Sequence, residues 1–222
     1  RGDDERGRPV AAGLSRSGLS GWPGLSGGQD RGRSGTIDGV AERVRVRGAV
    51  PDDAAAIATI RVAGWRAAYA GLIEQAVLDA LDPVTEAVRR RAEWTERPTP
   101  VVAEVDGRVV GFVLTCPYRT AIEAPAHWPH DPDAGEVAAL YVDPAVHGRG
   151  VGRALMDRAL ADLRAAGHPV AHLWVLTGNA RARRFYEAAG FVDESPVGVT
   201  HDWIAPGATR PTPEVRYSRR LD

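Results

Sequence analysis

The six residues His147-Gly148-Arg149-Gly150-Val151-Gly152 carry the most specific chemistry in this 222-residue chain. They follow the strand-like run Glu136–Val142, ended by Asp143-Pro144, and they open a helical pattern in which Val151, Leu155, Ala159 and Leu163 recur every four residues. A helix N-terminus presents backbone N–H groups that lack intrahelical partners, together with the positive end of the helix dipole, so it attracts phosphate. Glycines at 148, 150 and 152 let the backbone approach an anion with no Cβ in between. Arg149 and Arg153 can add charge-assisted contacts. Two other phosphate-binding turns do not fit. A dinucleotide-binding turn needs Gly-x-Gly-x-x-Gly, and the spacing here differs. A P-loop needs Gly-Lys-Ser/Thr, and all 28 basic residues are arginine. The lack of lysine also excludes Schiff-base chemistry. A tight turn that holds no ligand is the plain alternative.

The elements around this turn follow from period and punctuation. Residues 1–40 are rich in Gly, Ser and Arg, diluted by Asp3, Asp4, Glu5, Asp30 and Asp38. They show no sustained apolar period and no signal-peptide-like segment, and they are expected to be disordered. With Arg1 first and Met156 the only methionine, a processed, truncated or atypically started chain is expected. Residues 41–222 read as one domain. Val44 and Val46 alternate with arginines as in a half-buried strand. Pro51-Asp52-Asp53 then starts a helix over Ala54–Tyr69, with Asp52 as its expected N-cap. Further helices are expected over Gln75–Leu81 and Val84–Arg97. Val101–Val105 and Arg108–Thr115 form a hairpin through Asp106-Gly107. A Pro-, His- and Asp-rich loop at 117–134 leads to the strand Glu136–Val142. The helix after the glycine turn runs through Ala166 to Gly167 and Pro169. Val170–Leu176 is a strand, Asn179 precedes a helix to Ala189 capped by Gly190, and strands follow from Phe191 and over Val215–Arg220. The result is a mixed α/β sheet without internal repeats.

An apolar content of 44% suffices for a core, and a net charge of −1 argues against wholesale nucleic-acid binding. No apolar stretch approaches the roughly 18 residues of a membrane span. Cys116, the only cysteine, leaves no intrachain disulfide and no multi-cysteine metal site; it is expected to be a small buried hydrophobe.

Together these residues resemble the GNAT N-acetyltransferase superfamily. Its central motif, Gln/Arg-x-x-Gly-x-Gly/Ala after a Leu-Tyr-Val strand, is similar to Leu140-Tyr141-Val142 followed by His147–Gly152. Its downstream motif is similar to Asn179…Phe185-Tyr186-Glu187-Ala-Ala-Gly190-Phe191, and Gly64-Trp65-Arg66-Ala-Ala-Tyr69-Ala-Gly71 resembles the first helix of a subgroup. The chain departs from the pattern at His147, where the family usually has Gln or Arg.

The resemblance implies a mostly antiparallel twisted sheet with one splayed parallel strand pair, flanked by helices. It implies acetyl-CoA as co-substrate. The pyrophosphate would lie on His147, Gly148, Arg149, Gly150, Val151, Gly152 and Arg153, and the pantetheine arm along the backbone of Leu140 and Val142. Asn179 would contact the cofactor or fix the gap, although a helix N-cap explains it equally well. Tyr186 stands where the family places its general acid, and Glu136 where many members hold a base. A backbone N–H near Tyr141 or Val142 would meet the oxyanion. Trp65 and Tyr69 share a helical face and would wall the acceptor pocket, with core packing as the alternative. His127-Trp128-Pro129-His130-Asp131 lacks a recognised ligand spacing, so no metal is expected and a substrate-side loop is preferred. The implied function is direct acetyl transfer in a ternary complex to a primary amine, either of a small molecule or of a peptide N-terminus. The protein would be cytoplasmic, with no nucleic-acid or membrane partner and with a homodimer left open. A non-catalytic acyl-CoA-binding module of the same fold is the alternative.

Overall fold

A computed structural model of the protein describes residues 44–96, 98–118 and 131–222. The expected disorder of residues 1–40, and His127 to His130 of the loop, lie outside the described residues. The strands are β1 (Arg45–Gly48), β2 (Val101–Val105), β3 (Arg108–Pro117), β4 (Gly135–Val142), β5 (Val170–Leu176), β6 (Val192–Asp193), β7 (Thr200–Trp203) and β8 (Thr212–Arg220). They form one sheet in the order β1-β2-β3-β4-β5-β8-β6, with β7 also paired to β8. Every pairing is antiparallel except β4 with β5. The helices are α1 (Ala54–Tyr69), α2 (Gln75–Asp79), α3 (Pro83–Ala92), α4 (Val151–Ala165) and α5 (Ala180–Ala188).

Alternation along the strands sends side chains to two helical layers. Ala103, Val113, Val137, Leu173 and Val215 pack with Val151, Leu155, Ala159 and Leu163 of α4, and Phe185 and Tyr186 of α5 lie against the same cluster. Val102 and Phe112 face the other way and pack with Ile57 and Ile60 of α1. The four-residue repeat that marked α4 in the sequence is therefore its buried stripe.

Turn chemistry behaves as the residues dictate. Asp106 and Gly107 both adopt positive φ, 50° and 75°, the backbone of a type I′ hairpin turn. Gly167 and Gly190 take left-handed φ at the ends of α4 and α5, and the next N–H in each case returns to the helix: His168 to Leu163 and Phe191 to Tyr186.

Several element ends differ from expectation, and three helices show why. Asp52 does not cap α1. Pro51–Asp53 forms a 3-10 turn before it, and Asp53 turns inward, accepting from the Val50 N–H at 2.8 Å and from both guanidinium arms of Arg47 at 2.6 and 2.9 Å. That guanidinium holds the Asp53 carboxyl below the usual carboxylate range, while Asp52 faces outward and pairs with Arg91. The third helix starts one residue early, because Asp82 accepts from the N–H groups of Val84 and Thr85 with Pro83 in the first turn. It ends at Ala92, where the chain tightens into a 3-10 turn, Trp94–Glu96, that brings Trp94 onto the α1 core. The second helix stops at Asp79, two residues short of Leu81.

Leu155 is fully buried between α4 and the sheet. Replacing it with Ala should lower stability by about 2–5 kcal/mol, measured as the shift of a urea unfolding midpoint at constant slope.

Candidate active site

The parallel pair β4–β5 is short. Gly135 pairs with Ala171 and Glu136 with His172, and there the pairing stops. On its other side β4 stays paired to β3 as far as Val142, with one irregularity: Leu114 faces Ala139 while Thr115 faces Val137. Ala138 is thus an extra residue on β4, and such a bulge bends and twists its strand. Beyond Glu136 the β4 backbone, including Leu140, Tyr141 and Val142, borders a widening gap that β5 does not fill.

The glycine turn closes the wide end of this gap. Asp143 accepts from the Ala145 N–H at 3.0 Å and sets a 3-10 turn over Pro144–Val146. Gly148 and Gly150 then take φ of 83° and 81°, which a side chain would strain. The first backbone bond of α4 runs from the Ala154 N–H to the Gly150 carbonyl at 3.0 Å. The N–H groups of Val151, Gly152 and Arg153 precede it and sit at the positive helix end. A Cβ at Gly152 would rest in ordinary contact with Phe185 of α5 at 3.4 Å.

The side chains of the turn are arranged less simply than the backbone. His147 reaches back with Nε2 to the Val142 carbonyl at 3.1 Å, and burial holds its imidazole below the ordinary pKa. Arg153 places Nε on Asp157, one turn along α4. Asn179 caps α5, its Oδ1 accepting from the Ala182 N–H at 3.1 Å.

Three tyrosines converge beside the gap. The Tyr141 hydroxyl accepts from the Trp65 indole N–H at 2.8 Å and lies 3.4 Å from the Tyr69 hydroxyl. A Cβ on Gly64 would come within 2.8 Å of the Tyr141 ring, so Gly64 is what lets β4 press against α1. Trp65 is buried and stacks edge-on between Tyr69 and Trp203, while Tyr69 is half-buried. Tyr186 packs against Phe185, Phe191 and Tyr217. Burial, reinforced by Tyr141, raises its phenol well above the ordinary value, and burial likewise raises Tyr69. Both phenols therefore keep their protons across the neutral range, as a group that donates a proton must.

Glu136 is fully buried at the narrow end of the gap. Its register partners are Cys116 on β3 and His172 on β5, so these side chains share the sheet face that also carries Tyr141.

Comparison with known proteins settles what kind of domain this is. Residues 68–191 match the Acetyltransferase (GNAT) family, a span that takes in the bulged strand, the glycine turn and the Asn179–Phe191 segment. The chain belongs to the GNAT acetyltransferase family. A mycothiol acetyltransferase of Beutenbergia cavernae is 53% identical over 74 residues, which is 32% of this chain; the matched segment spans only 24% of that relative's length. A PaiA N-acetyltransferase of Thermoplasma acidophilum solved with coenzyme A superposes with a TM-score of 0.55 at 16% identity, covering 80% of this chain and 99% of that one. A Salmonella typhimurium protein solved with its cofactor acetyl-CoA gives 0.58 at 22%, covering 81% and 95%. These two likenesses bear out the GNAT fold, including the splayed parallel pair.

Beside Glu136, the GNAT domain holds polar residues that no local motif announced. His172 and Arg216 are fully buried on β5 and β8. Arg216 pairs with Glu194, reaches the Tyr118 hydroxyl at 3.2 Å and lies 3.9 Å from Asp131, while His172 Nε2 lies 3.1 Å from Asp131. These residues come from five separate segments. The one readable signal was polarity inside an apolar strand, since His172 interrupts Val170–Leu176 on the face opposite Ala171, Leu173 and Val175. Among the described residues, no three His, Cys, Asp or Glu side chains come together as metal ligands.

Tyr141→Phe removes the hydroxyl that accepts from the Trp65 indole N–H and leaves that buried donor without this partner. It should cost about 1–3 kcal/mol, and Trp65→Phe should remove most of that penalty in a double-mutant cycle read by chemical denaturation.

Proposed function

We propose that residues 41–222 form an acetyl-CoA-dependent N-acetyltransferase that acts in the cytoplasm on a primary amine, of a small molecule or a peptide N-terminus, by direct attack in a ternary complex. The observation that carries this reading is the gap between β4 and β5, with the glycine turn at its wide end and the half-buried Tyr186 and fully buried Glu136 beside it. Acetyl-CoA fits that gap by the chemistry on offer. The N–H groups of Val151, Gly152 and Arg153, with the backbone of Gly148 to Gly150, suit a pyrophosphate. The β4 backbone from Leu140 to Val142 suits an amide-bearing arm that pairs as an added strand. Asn179 holds the start of α5 at the same gap. When bound, acetyl-CoA supplies an acetyl group activated as a thioester.

The chain's own residues divide the proton work. Glu136 takes the proton from the acceptor ammonium, freeing the nitrogen lone pair. A backbone N–H near Tyr141 or Val142 stabilises the carbonyl oxygen as charge develops. Tyr186 gives its phenolic proton to the departing sulfur; its raised pKa keeps that proton on the phenol at neutral pH before the transfer. Trp65, Tyr69 and Trp203 form the apolar wall on the acceptor side.

Thiol release from acetyl-CoA, measured against a panel of amines and peptides, tests this reading. No acceptor-dependent release, or stabilisation of the fold by NAD or ATP but not by acetyl-CoA, overturns it. Tyr186→Phe should lower kcat by about a hundredfold or more and leave acetyl-CoA affinity by calorimetry near wild type. Gly150→Ala places a Cβ at φ 81° and should act in the opposite sense, weakening acetyl-CoA binding in the same calorimetric assay.

A further inference from the structure

His172 lies in the middle of β5 with its ring fully buried. Its Nε2 is 3.1 Å from Asp131 Oδ2. A carboxylate only accepts, so Nε2 carries the ring hydrogen and Nδ1 is a bare lone pair. Nδ1 is buried and has no hydrogen-bond partner among the described residues, a costly state for a polar atom. Burial, with the Arg216 charge adding to it, holds the imidazole below its ordinary pKa and keeps the ring neutral.

The titratable and charged groups that face His172 come from every described element packed on it. Tyr118, just after β3, lies edge-on with ring centroids 4.8 Å apart. Arg216 comes from β8, Glu194 from the turn after β6, and Asp131 from the approach to β4. Glu136, on β4, is the register partner of His172 in the parallel pair, on the same face and equally buried. Asp131 has a side chain 34% exposed and connects this cluster to solvent.

We propose that His172 is the positioning residue for Glu136, its Nδ1 accepting a hydrogen bond from the Glu136 carboxyl once that group has taken the acceptor's proton. The proposal rests on the acetyltransferase reading above. In the step concerned, an N–H bond of the acceptor ammonium breaks and an O–H bond forms on Glu136. That O–H then donates to Nδ1, and the hydrogen on Nε2 stays with Asp131. A waiting acceptor stabilises the protonated carboxyl relative to the ionised one and so makes the carboxylate a stronger base. Asp131 fixes the tautomer that leaves Nδ1 bare.

Two substitutions separate this role from simple packing. His172→Gln keeps an N–H donor near the Nε2 position for Asp131 and removes the acceptor at Nδ1. His172→Asn places a carbonyl oxygen near Nδ1 and releases Asp131. The Gln variant should lose about tenfold in kcat, with the KM for acetyl-CoA and the melting temperature near wild type. The acid limb of its kcat/KM profile should move to lower pH, because a weaker base is protonated only in more acidic solution. The Asn variant should recover most of the lost kcat. A structural role predicts the reverse order, with Gln near wild type and Asn impaired, and that order overturns the proposal. Nitrogen-15 NMR of His172 in the unliganded protein gives a readout independent of turnover: the Nε2–H tautomer supports the proposal and the Nδ1–H tautomer overturns it. Wild-type protein that acetylates no amine means the acetyltransferase reading itself has failed. Active wild type with an unaltered Gln variant means that this inference alone has failed.

Discussion

Parallel strands ordinarily hydrogen bond along their whole overlap, yet β4 and β5 share only two register pairs. Each is held on its other side by a long antiparallel partner, β3 for β4 and β8 for β5. The extra residue at Ala138 bends β4 while those outer pairings persist, so the sheet opens between the two strands without coming apart. Everything assigned to the site lies along that opening. Glu136 sits at its closed end, Tyr141 borders it, and the start of α4 stands at its open end. Without the bulge, β5 would satisfy the β4 backbone and leave no edge for an added strand. A close approach maintains the geometry: Gly64 admits the Tyr141 ring against α1.

The two faces of the opened sheet differ in kind. Toward α4 and α5, β4, β5 and β8 present Val137, Leu173, Val175 and Val215 in a continuous apolar core. Toward the acceptor side the same strands present Glu136, His172 and Arg216, all fully buried. Burying such groups is unfavourable unless their partners are in place. Arg216 has Glu194 and Tyr118, and His172, among the described residues, has Asp131 at one nitrogen only. A polar layer inside an otherwise apolar sheet adds little to stability, and the proton transfer proposed for Glu136 would account for its cost.

Much of the fold was legible because its signals are local. The Asp106-Gly107 turn, the caps at Gly167 and Gly190, the α4 stripe and the Asn179 cap each depend on a few adjacent residues, and each appears where the pattern put it. The departures came where a distant group competed with a local one. Asp53 rather than Asp52 became the structural carboxylate because Arg47, on β1, lies across from it. The third helix stopped early as Trp94 turned onto the core formed by β2 and β3. Within the site, the glycine backbone was readable from spacing, but the side chains were not. His147 turns back to its own strand and Arg153 goes to Asp157, through contacts that no motif encodes. Beyond the polarity of His172 within its apolar strand, the cluster around it was not legible for the same reason, since it exists only once the sheet brings five segments together.

The division between chemistry and acceptor choice follows from this topology. The bulged strand, the glycine turn, Asn179 and Tyr186 all fall within residues 68–191, the contiguous stretch that matches the family. The proposed acceptor side draws on residues both inside it, such as Tyr69, and outside it. Trp65 lies just before that stretch and Trp203 beyond it, and they stack on one another. Glu74, in the connection from α1 to α2, takes the N–H and hydroxyl of Thr209, in the connection from β7 to β8, at 2.7 and 2.6 Å. Leu72, in the same α1–α2 connection, lies against Gly178, where a Cβ would come within 2.6 Å of it. The walls proposed to select an amine thus combine α1 and β7 with loops tied to one another, and the groups proposed to move protons sit on β4 and α5. Loops of this kind change readily without disturbing the sheet. A family-wide motif therefore identifies the reaction class of such a domain far more sharply than it identifies the acceptor.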